Sequence, residues 1–309
     1  MDKSEIRKNY FQDIYVLADP NRKKRPYSPP EIGGEEPKCI FCPNNIQKDE
    51  VELYRYPKNP NNEWKLISLL NRFSPLSPGN TEAHGSAEVL VETPKHSEQL
   101  NDLSIVEIVD VLNSYKDRQI ELEKINKYVL IFKNRGKMAG ASRVHSHTQI
   151  YGLPFVPQVL KNEKRDYNKY LKEKGNCPFC DIVRIEGGIN TRTIWEDENI
   201  YVIAPYASEF EYEAWIMPKR HITTYTDLKK VEIKSLAQAL KKVTGMLEKI
   251  ELDYNYYLHS TYNGNDFHFH IHLCPRPNNA IWAGLELGSN TYINPVMPED
   301  AAKIYRSHS

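Results

Sequence analysis

Apolar and polar positions along this 309-residue chain follow an order that runs through twice. In the first half, short apolar runs at 13–17, 65–70 and 88–92 predict strands, the last closed by Pro94-Lys95-His96. Ile105, Ile108, Val109 and Leu112 then recur at i, i+3, i+4 and i+7, which predicts a helix over about 103–125. An apolar run at 128–132 predicts the next strand, and beyond a glycine-containing loop an alternating segment opening at His145 predicts another. The second half repeats this order. Strands are predicted at 193–195, 200–203 and 213–217, then Pro218-Lys219-Arg220-His221, a helix near 231–250, and a strand at 254–259 ahead of His268-x-His270-x-His272. His221 lies 125 positions after His96 and His270 lies 123 after His147, so two copies of one unit explain the pattern better than coincidence. The expected fold class is α+β: two units, 1–160 and 161–309, each an antiparallel sheet with a helix packed on one face.

The segment that carries chemistry is Asn134-Arg135-Gly136 through Gly140-Ala141-Ser142 to His145-x-His147-x-Gln149. Successive side chains of a strand point to opposite faces, so His145, His147 and Gln149 are expected to project from one face. Two imidazoles and an amide beside a loop that offers backbone N–H groups can attack and hold a phosphoryl group.

Charge narrows the choice of partner. Lys+Arg and Asp+Glu balance at 41 each with no long like-charge block, which argues against nucleic-acid or membrane-surface binding. The short basic run from Arg22 to Arg25 suits a small anionic ligand. No apolar stretch approaches the ~20 residues of a membrane span. The charged N-terminus lacks a signal-peptide core, so a cytoplasmic location is expected.

Five cysteines then change the picture. Four form Cys39-x-x-Cys42 and Cys177-x-x-Cys180, set in Pro-, Gly- and Asn-rich stretches where loops are expected. Without export signals, metal binding is favoured over disulfides, and the absence of a preceding strand disfavours a thioredoxin-like role. Each half supplies Cys-x-x-Cys, one His after a Pro-Lys turn and one His opening the alternating segment. Zinc is therefore expected at Cys39, Cys42, His96 and His145, and again at Cys177, Cys180, His221 and His268. Four protein ligands close a tetrahedral ion, so both sites are expected to be structural. Zinc at His145 would anchor the strand that presents His147. Cys274, amid apolar residues, reads as a core thiol, and His84 and His308 as solvent-exposed.

With these residues assembled, the chain resembles the galactose-1-phosphate uridylyltransferases, the two-domain transferase branch of the histidine-triad superfamily, from about Leu17 to Tyr305. Asn134-Arg135-Gly136, Gly140-Ala141-Ser142 and His145-x-His147-x-Gln149 match that family's active-site segment. Arg22-Lys23-Lys24-Arg25-Pro26 matches its basic loop, and Asn71-Arg72-Phe73 its loop near the nucleotide. Gly284-Leu285-Glu286 falls where the family has a hexose-binding glutamate. The resemblance implies a ping-pong transfer of UMP from UDP-glucose to galactose 1-phosphate through a uridylylated His147, assisted by Gln149. Substrate contacts are implied at Arg22, Arg25, Asn71, Asn134, Gly140, Ser142 and Glu286. It also implies a homodimer whose second chain completes the sugar pocket.

The chain departs from that pattern at Ser146, where many uridylyltransferases carry Pro. The His-Ser-His form, the second zinc set and the tail from Gly288 to Pro295 resemble the ADP-glucose phosphorylases instead, which leaves uracil and adenine both open. Glu163, His259, His270 and His272 match a further metal site of some transferases; of the two second-half sets, the internal repeat favours the cysteine-containing one. Other readings are a nucleotide-sugar phosphorylase or hydrolase using the same histidine, and catalysis by His270. The second half lacks the Gly-Ala-Ser loop that such catalysis would want. A zinc-stabilised nucleotide-binding module without turnover is the reading of another class, and His147 retained beside Gln149 argues against it.

Overall fold

The computed structural model describes residues 4–10, 12, 14–20, 39–46, 50–58, 63–262, 267–277 and 283–307. Arg22, Arg25 and His308 lie outside them. The first unit contains β3 (Glu52–Tyr56), β4 (Leu66–Leu70), β5 (Ser86–Val91), α1 (Ile105–Glu123), β6 (Tyr128–Arg135) and β7 (His147–Leu153). The second contains β8 (Thr193–Glu196), β9 (Ile200–Ile203), β10 (Ala214–Pro218), α4 (Lys230–Lys249), β11 (Asp253–His259) and β12 (His270–Arg276). Two helices, α2 (Gln158–Lys174) and α3 (Pro178–Ile189), connect them; α5 (Gly284–Ser289) and α6 (Pro298–Ser307) follow. A separate ribbon, β1 (Glu5–Lys8) with β2 (Tyr15–Ala18), precedes both units.

The duplicated α+β units are as expected, but their sheets are not separate. One antiparallel sheet runs in the order β3-β4-β5-β7-β6-β11-β12-β10-β9-β8, so the second unit's strand order is the first's in reverse. The seam is the β6–β11 pair, with Asn134 opposite Asn255 and Lys133 opposite Tyr256. Each unit alone would leave that strand as an unpaired edge, and pairing the two satisfies both rows of backbone groups.

Helix α1 starts at a capping box in which Ser104 Oγ accepts from the Glu107 N–H while Glu107 accepts from the Ser104 N–H. It turns Ile108, Val111, Leu112 and Leu122 inward, and α4 does the same with Ile233, Leu236, Leu240 and Val243. Both helices cover one face of the joined sheet and share a single core with Ile131, Ile150, Tyr254 and Ile271. The opposite face of the central strands is left for the site.

Two local expectations are corrected. Strand β7 begins at His147, so His145 sits in the turn that enters the strand rather than on it. The Cys177 segment is a helix start, not a loop: Cys177 is the N-cap of α3 and Pro178 its first residue, where the missing N–H costs nothing. Helix α2 had no visible apolar stripe, since it buries only Leu160 and Tyr167; it ends at Gly175 with φ +75°, and the boundary expected at 160 falls inside it.

Candidate active site and metal clusters

His147 is the first residue of β7, opposite Val91 of β5, and Gln149 two residues on lies between Val89 and Phe132 of the neighbouring strands. The imidazole is 7% exposed, and its Nδ1–H donates to the His145 carbonyl at 2.8 Å. That bond fixes the tautomer and leaves Nε2 with its lone pair. Burial lowers the pKa from 6.5 to about 4, so the ring is neutral at pH 7. A neutral imidazole with a directed lone pair is a nucleophile.

Two cavities meet at this ring. One is walled by Phe41, Leu69, Asn71, Phe73 and Val89, the other by Asp19, Phe132, Asn134, Gly140 and Tyr151. His147, Gln149 and Ser142 line both, so a ligand that fills the two puts its middle against His147. Asn71 makes the turn expected of its type, its Oδ1 accepting from the Phe73 N–H at 3.1 Å, while its Nδ2 reaches the Tyr151 hydroxyl at 3.3 Å. Gly140 (φ +76°) holds the left-handed geometry that the Gly136–Ser142 turn requires. Glu286 lies elsewhere in the chain: it accepts from the Ala283 N–H at 3.0 Å and lines neither cavity.

Alternation sends Thr148 of β7, and Ser146 just ahead of the strand, to the other face, into a network that sequence reasoning missed. Glu92 accepts from Lys133 Nζ (2.6 Å), Ser146 Oγ (2.6 Å), Thr148 Oγ1 (2.6 Å) and the Tyr115 hydroxyl (2.8 Å). Lys133 also donates to the His147 carbonyl at 3.1 Å, so the network grips the backbone of the site histidine from beneath. Burial alone would push the Glu92 carboxyl up; the Lys133 charge and these hydrogen bonds hold it below its ordinary range. A lysine inside an apolar strand run was the available signal, because a lysine is almost never buried without a counter-charge.

The expected cysteine and histidine sets assemble in both halves. Cys39 Sγ lies 3.7 Å from His145 Nδ1, and Cys42 Sγ lies 3.6 Å from His96 Nδ1 and 3.7 Å from His145 Nδ1. In the second set Cys177 and Cys180 lie 3.5 and 3.6 Å from His268 Nδ1, and Cys180 lies 3.6 Å from His221 Nδ1. Metal–ligand bonds of about 2.3 Å to sulfur and 2.0–2.1 Å to nitrogen give a tetrahedral S···N edge of about 3.6 Å, so both clusters fit zinc. The tautomers agree. His145 Nε2–H donates to the Thr93 carbonyl at 2.7 Å and His268 Nε2–H to the Pro218 carbonyl at 2.9 Å, which turns both Nδ1 lone pairs toward the sulfurs.

A third cluster shows that the two second-half ligand sets are not alternatives. Glu163 reaches His259 Nδ1 at 2.8 Å and His270 Nε2 at 2.9 Å, and His272 Nε2 lies 3.0 Å from His270 Nε2. Its four ligand atoms lie within 4.8 Å of one another, and none of its residues belongs to the cysteine set. The carboxylate–imidazole donor set suits a divalent transition metal. His270, the counterpart of His147, is thereby committed: its Nε2 points at Glu163, and Phe179 stacks on its ring at 4.3 Å.

The duplicated histidine-triad-like units and the similarities below make this chain a nucleotidyltransferase. The chain belongs to the galactose-1-phosphate uridylyltransferase family. The family described as "Galactose-1-phosphate uridyl transferase, N-terminal domain" matches residues 1–157, and "Scavenger mRNA decapping enzyme C-term binding" matches 176–286. A galactose-1-phosphate uridylyltransferase of Thermotoga maritima is 31% identical over 98% of each chain. An ADP-glucose phosphorylase of Arabidopsis thaliana is 33% identical over 99% of this chain and 93% of its own. Among solved structures, a uridylyltransferase superposes with a TM-score of 0.81 at 29% identity, covering 98% of this chain and 97% of its own. The Arabidopsis ADP-glucose phosphorylase with bound ADP-glucose gives 0.80 at 31% identity, covering 100% and 99%.

Proposed function

We propose that the protein transfers UMP from UDP-glucose to galactose 1-phosphate through a covalent intermediate on His147. The observation that carries this reading is the His147 tautomer: Nδ1–H held by the His145 carbonyl at 2.8 Å, with the ring lining the junction of two cavities. Nε2 donates its lone pair to the α-phosphorus, the P–O bond to glucose 1-phosphate breaks, and glucose 1-phosphate leaves as an anion that needs no proton. Nδ1 keeps its proton, and the His145 carbonyl stabilises the positive charge of the nucleotidylated ring. A phosphate oxygen of galactose 1-phosphate then attacks the same phosphorus, the P–N bond breaks, and neutral His147 is restored. Gln149, Ser142 and the Gly140 turn supply N–H and O–H groups to the non-bridging oxygens. The apolar cavity at Phe73 and Asn71 takes the base.

Arg22 and Arg25 would neutralise phosphate charge. Glu286 of the partner subunit would meet the hexose in a homodimer, which accords with its lining neither cavity within one chain. Zinc at the two cysteine–histidine clusters would be structural, cross-linking each Cys-x-x-Cys to the strand entry beside it.

A second reading has support in the 33% identity to an ADP-glucose phosphorylase. It keeps the His147 step with an adenylyl group and inorganic phosphate as acceptor. Intact-protein mass spectrometry after incubation with UDP-glucose or ADP-glucose tests both. A UMP-sized adduct that is absent from His147→Ala and discharged by galactose 1-phosphate supports the first reading, an AMP-sized adduct discharged by inorganic phosphate the second, and no His147-dependent adduct overturns both.

A further inference from the structure

His147 lines two cavities whereas His270 turns its Nε2 to Glu163, yet one strand of the second unit reaches across the seam into the first unit's site. Along β11 the side chains alternate. Tyr254 and Tyr256 enter the shared core, where the Tyr256 hydroxyl lies 2.7 Å from Tyr115. Asp253 and Asn255 face the other way, toward the Gly136–Ser142 turn.

Their contacts are specific. Asn255 Nδ2 donates to Asn134 Oδ1 at 2.8 Å and to the Ala139 carbonyl at 2.9 Å, one hydrogen to each. Asp253 accepts from the Met138 N–H at 2.8 Å and from Arg135 at 3.1 Å. Gly136 (φ +87°) lies so close that a Cβ there would overlap the Asp253 carboxylate. The turn is thus held at its entry and its middle by two side chains of the other unit.

We propose that Asn255 and Asp253 are positioning residues for nucleotidyl transfer, and that Asn255 sets the polarity of Asn134. Because Asn134 Oδ1 is occupied by Asn255, the amide offers the cavity only its Nδ2–H groups. A site built this way takes an acceptor-rich ligand, a phosphoryl oxygen above all, and disfavours a donor at that point. Asp253 holds the backbone of the same turn, so that Gly140 and Ser142 stay beside His147. The second unit thus acts as the template for the first unit's oxyanion-binding loop. This inference deepens the proposed covalent reaction and rests on it for its kinetic readout.

The decisive variant is Asn255→Asp, which keeps shape and removes the donor. The new carboxylate accepts from Asn134 Nδ2, turning that amide around so that its oxygen meets the phosphate. The rate of His147 labelling at saturating donor is expected to fall at least about tenfold in Asn255→Asp, and less in Asn255→Ala. Metal content should stay near wild type in both variants. The loss should be confined to the phosphoryl contact: Asn255→Asp should bind UMP or AMP more weakly than wild type while binding uridine or adenosine alike. A purely structural role would weaken both. Wild-type labelling in Asn255→Asp, or an equal loss of nucleoside and nucleotide binding, overturns the proposal. Calorimetric binding of UMP and AMP to the same proteins separates this from failure of the reaction itself. If the wild type forms no adduct, weaker nucleotide binding by Asn255→Asp still supports the positioning role, and unchanged binding overturns it.

Discussion

His147 and His270 are the same position in two copies of one unit, and they differ at a single atom's surroundings. Each Nδ1–H donates to the carbonyl two residues earlier at 2.8 Å, and each follows a histidine of an S2N2 cluster. In each unit the phenylalanine inside Cys-x-x-Cys packs on the ring, Phe41 tilted at 5.2 Å and Phe179 stacked at 4.3 Å. The divergence is at Nε2: His147 opens onto two cavities, while His270 faces Glu163, His259 and His272. One scaffold thus orients a lone pair either toward substrate or toward a metal-ligand cluster. The glutamate that makes the difference comes from α2, the helix that follows the last strand of the first unit.

The largest effect should come from breaking that symmetry. His147→Ala is expected to lower nucleotidyl transfer by at least about a thousandfold with its fold intact, while His270→Ala should leave labelling of His147 within about fivefold and lower the melting temperature instead. Labelling kinetics and calorimetry on both variants read the two effects. The reverse outcome would assign catalysis to the wrong unit.

Next in size is the ion pair beneath the first unit. Glu92→Gln leaves Lys133 buried without its counter-charge, and about 3–5 kcal/mol of stability should be lost in denaturant unfolding. Loss of less than about 1 kcal/mol would mean the pair contributes little. A double variant that also replaces Lys133 with Met should regain much of the loss, since it is the orphaned charge that costs most.

The clusters should differ in a graded way. Cys177, Cys180 and His221 are partly or fully open to solvent, whereas Cys39 and His145 are buried. A chelator should therefore remove the second-unit ion first, with one equivalent lost before labelling of His147 slows. Cys39→Ser with Cys42→Ser should slow labelling more than Cys177→Ser with Cys180→Ser, because His145 supplies the carbonyl that orients His147. Elemental analysis finding no zinc at all would end the assignment.

The smallest effect concerns pH. His147 is neutral in the folded protein down to about 4, so labelling should be flat from pH 8 to 5 and fall only below that, where an ordinary imidazole would lose half its rate near 6.5. The linked stability has the same sign. The unfolded chain binds a proton below about 6.5 and the folded site does not, so this contribution is complete above that pH and is lost as pH drops toward 4. A labelling midpoint near 6.5 would show a more solvated ring.

Much of this was written in the order of residues. The helical stripe of Ile105, Ile108, Val109 and Leu112, the repeated Cys-x-x-Cys, and the spacing of His96, His145, His221 and His268 carried the α+β duplication and both S2N2 sets, because each depends on local periodicity or on a repeat that can be aligned with itself. Helix α2 was not visible, since its contribution is Glu163 and two buried apolar side chains rather than a stripe. Tertiary structure alone decided that β6 would pair with β11. That register brought Asn255 to Asn134 and Asp253 to Gly136, and joined two sheets into one. Local spacing shows which face a side chain takes along its own strand. Which side chain it meets across a pairing of residues more than a hundred positions apart depends on shared burial of whole elements, a property of the folded chain and not of any stretch of sequence.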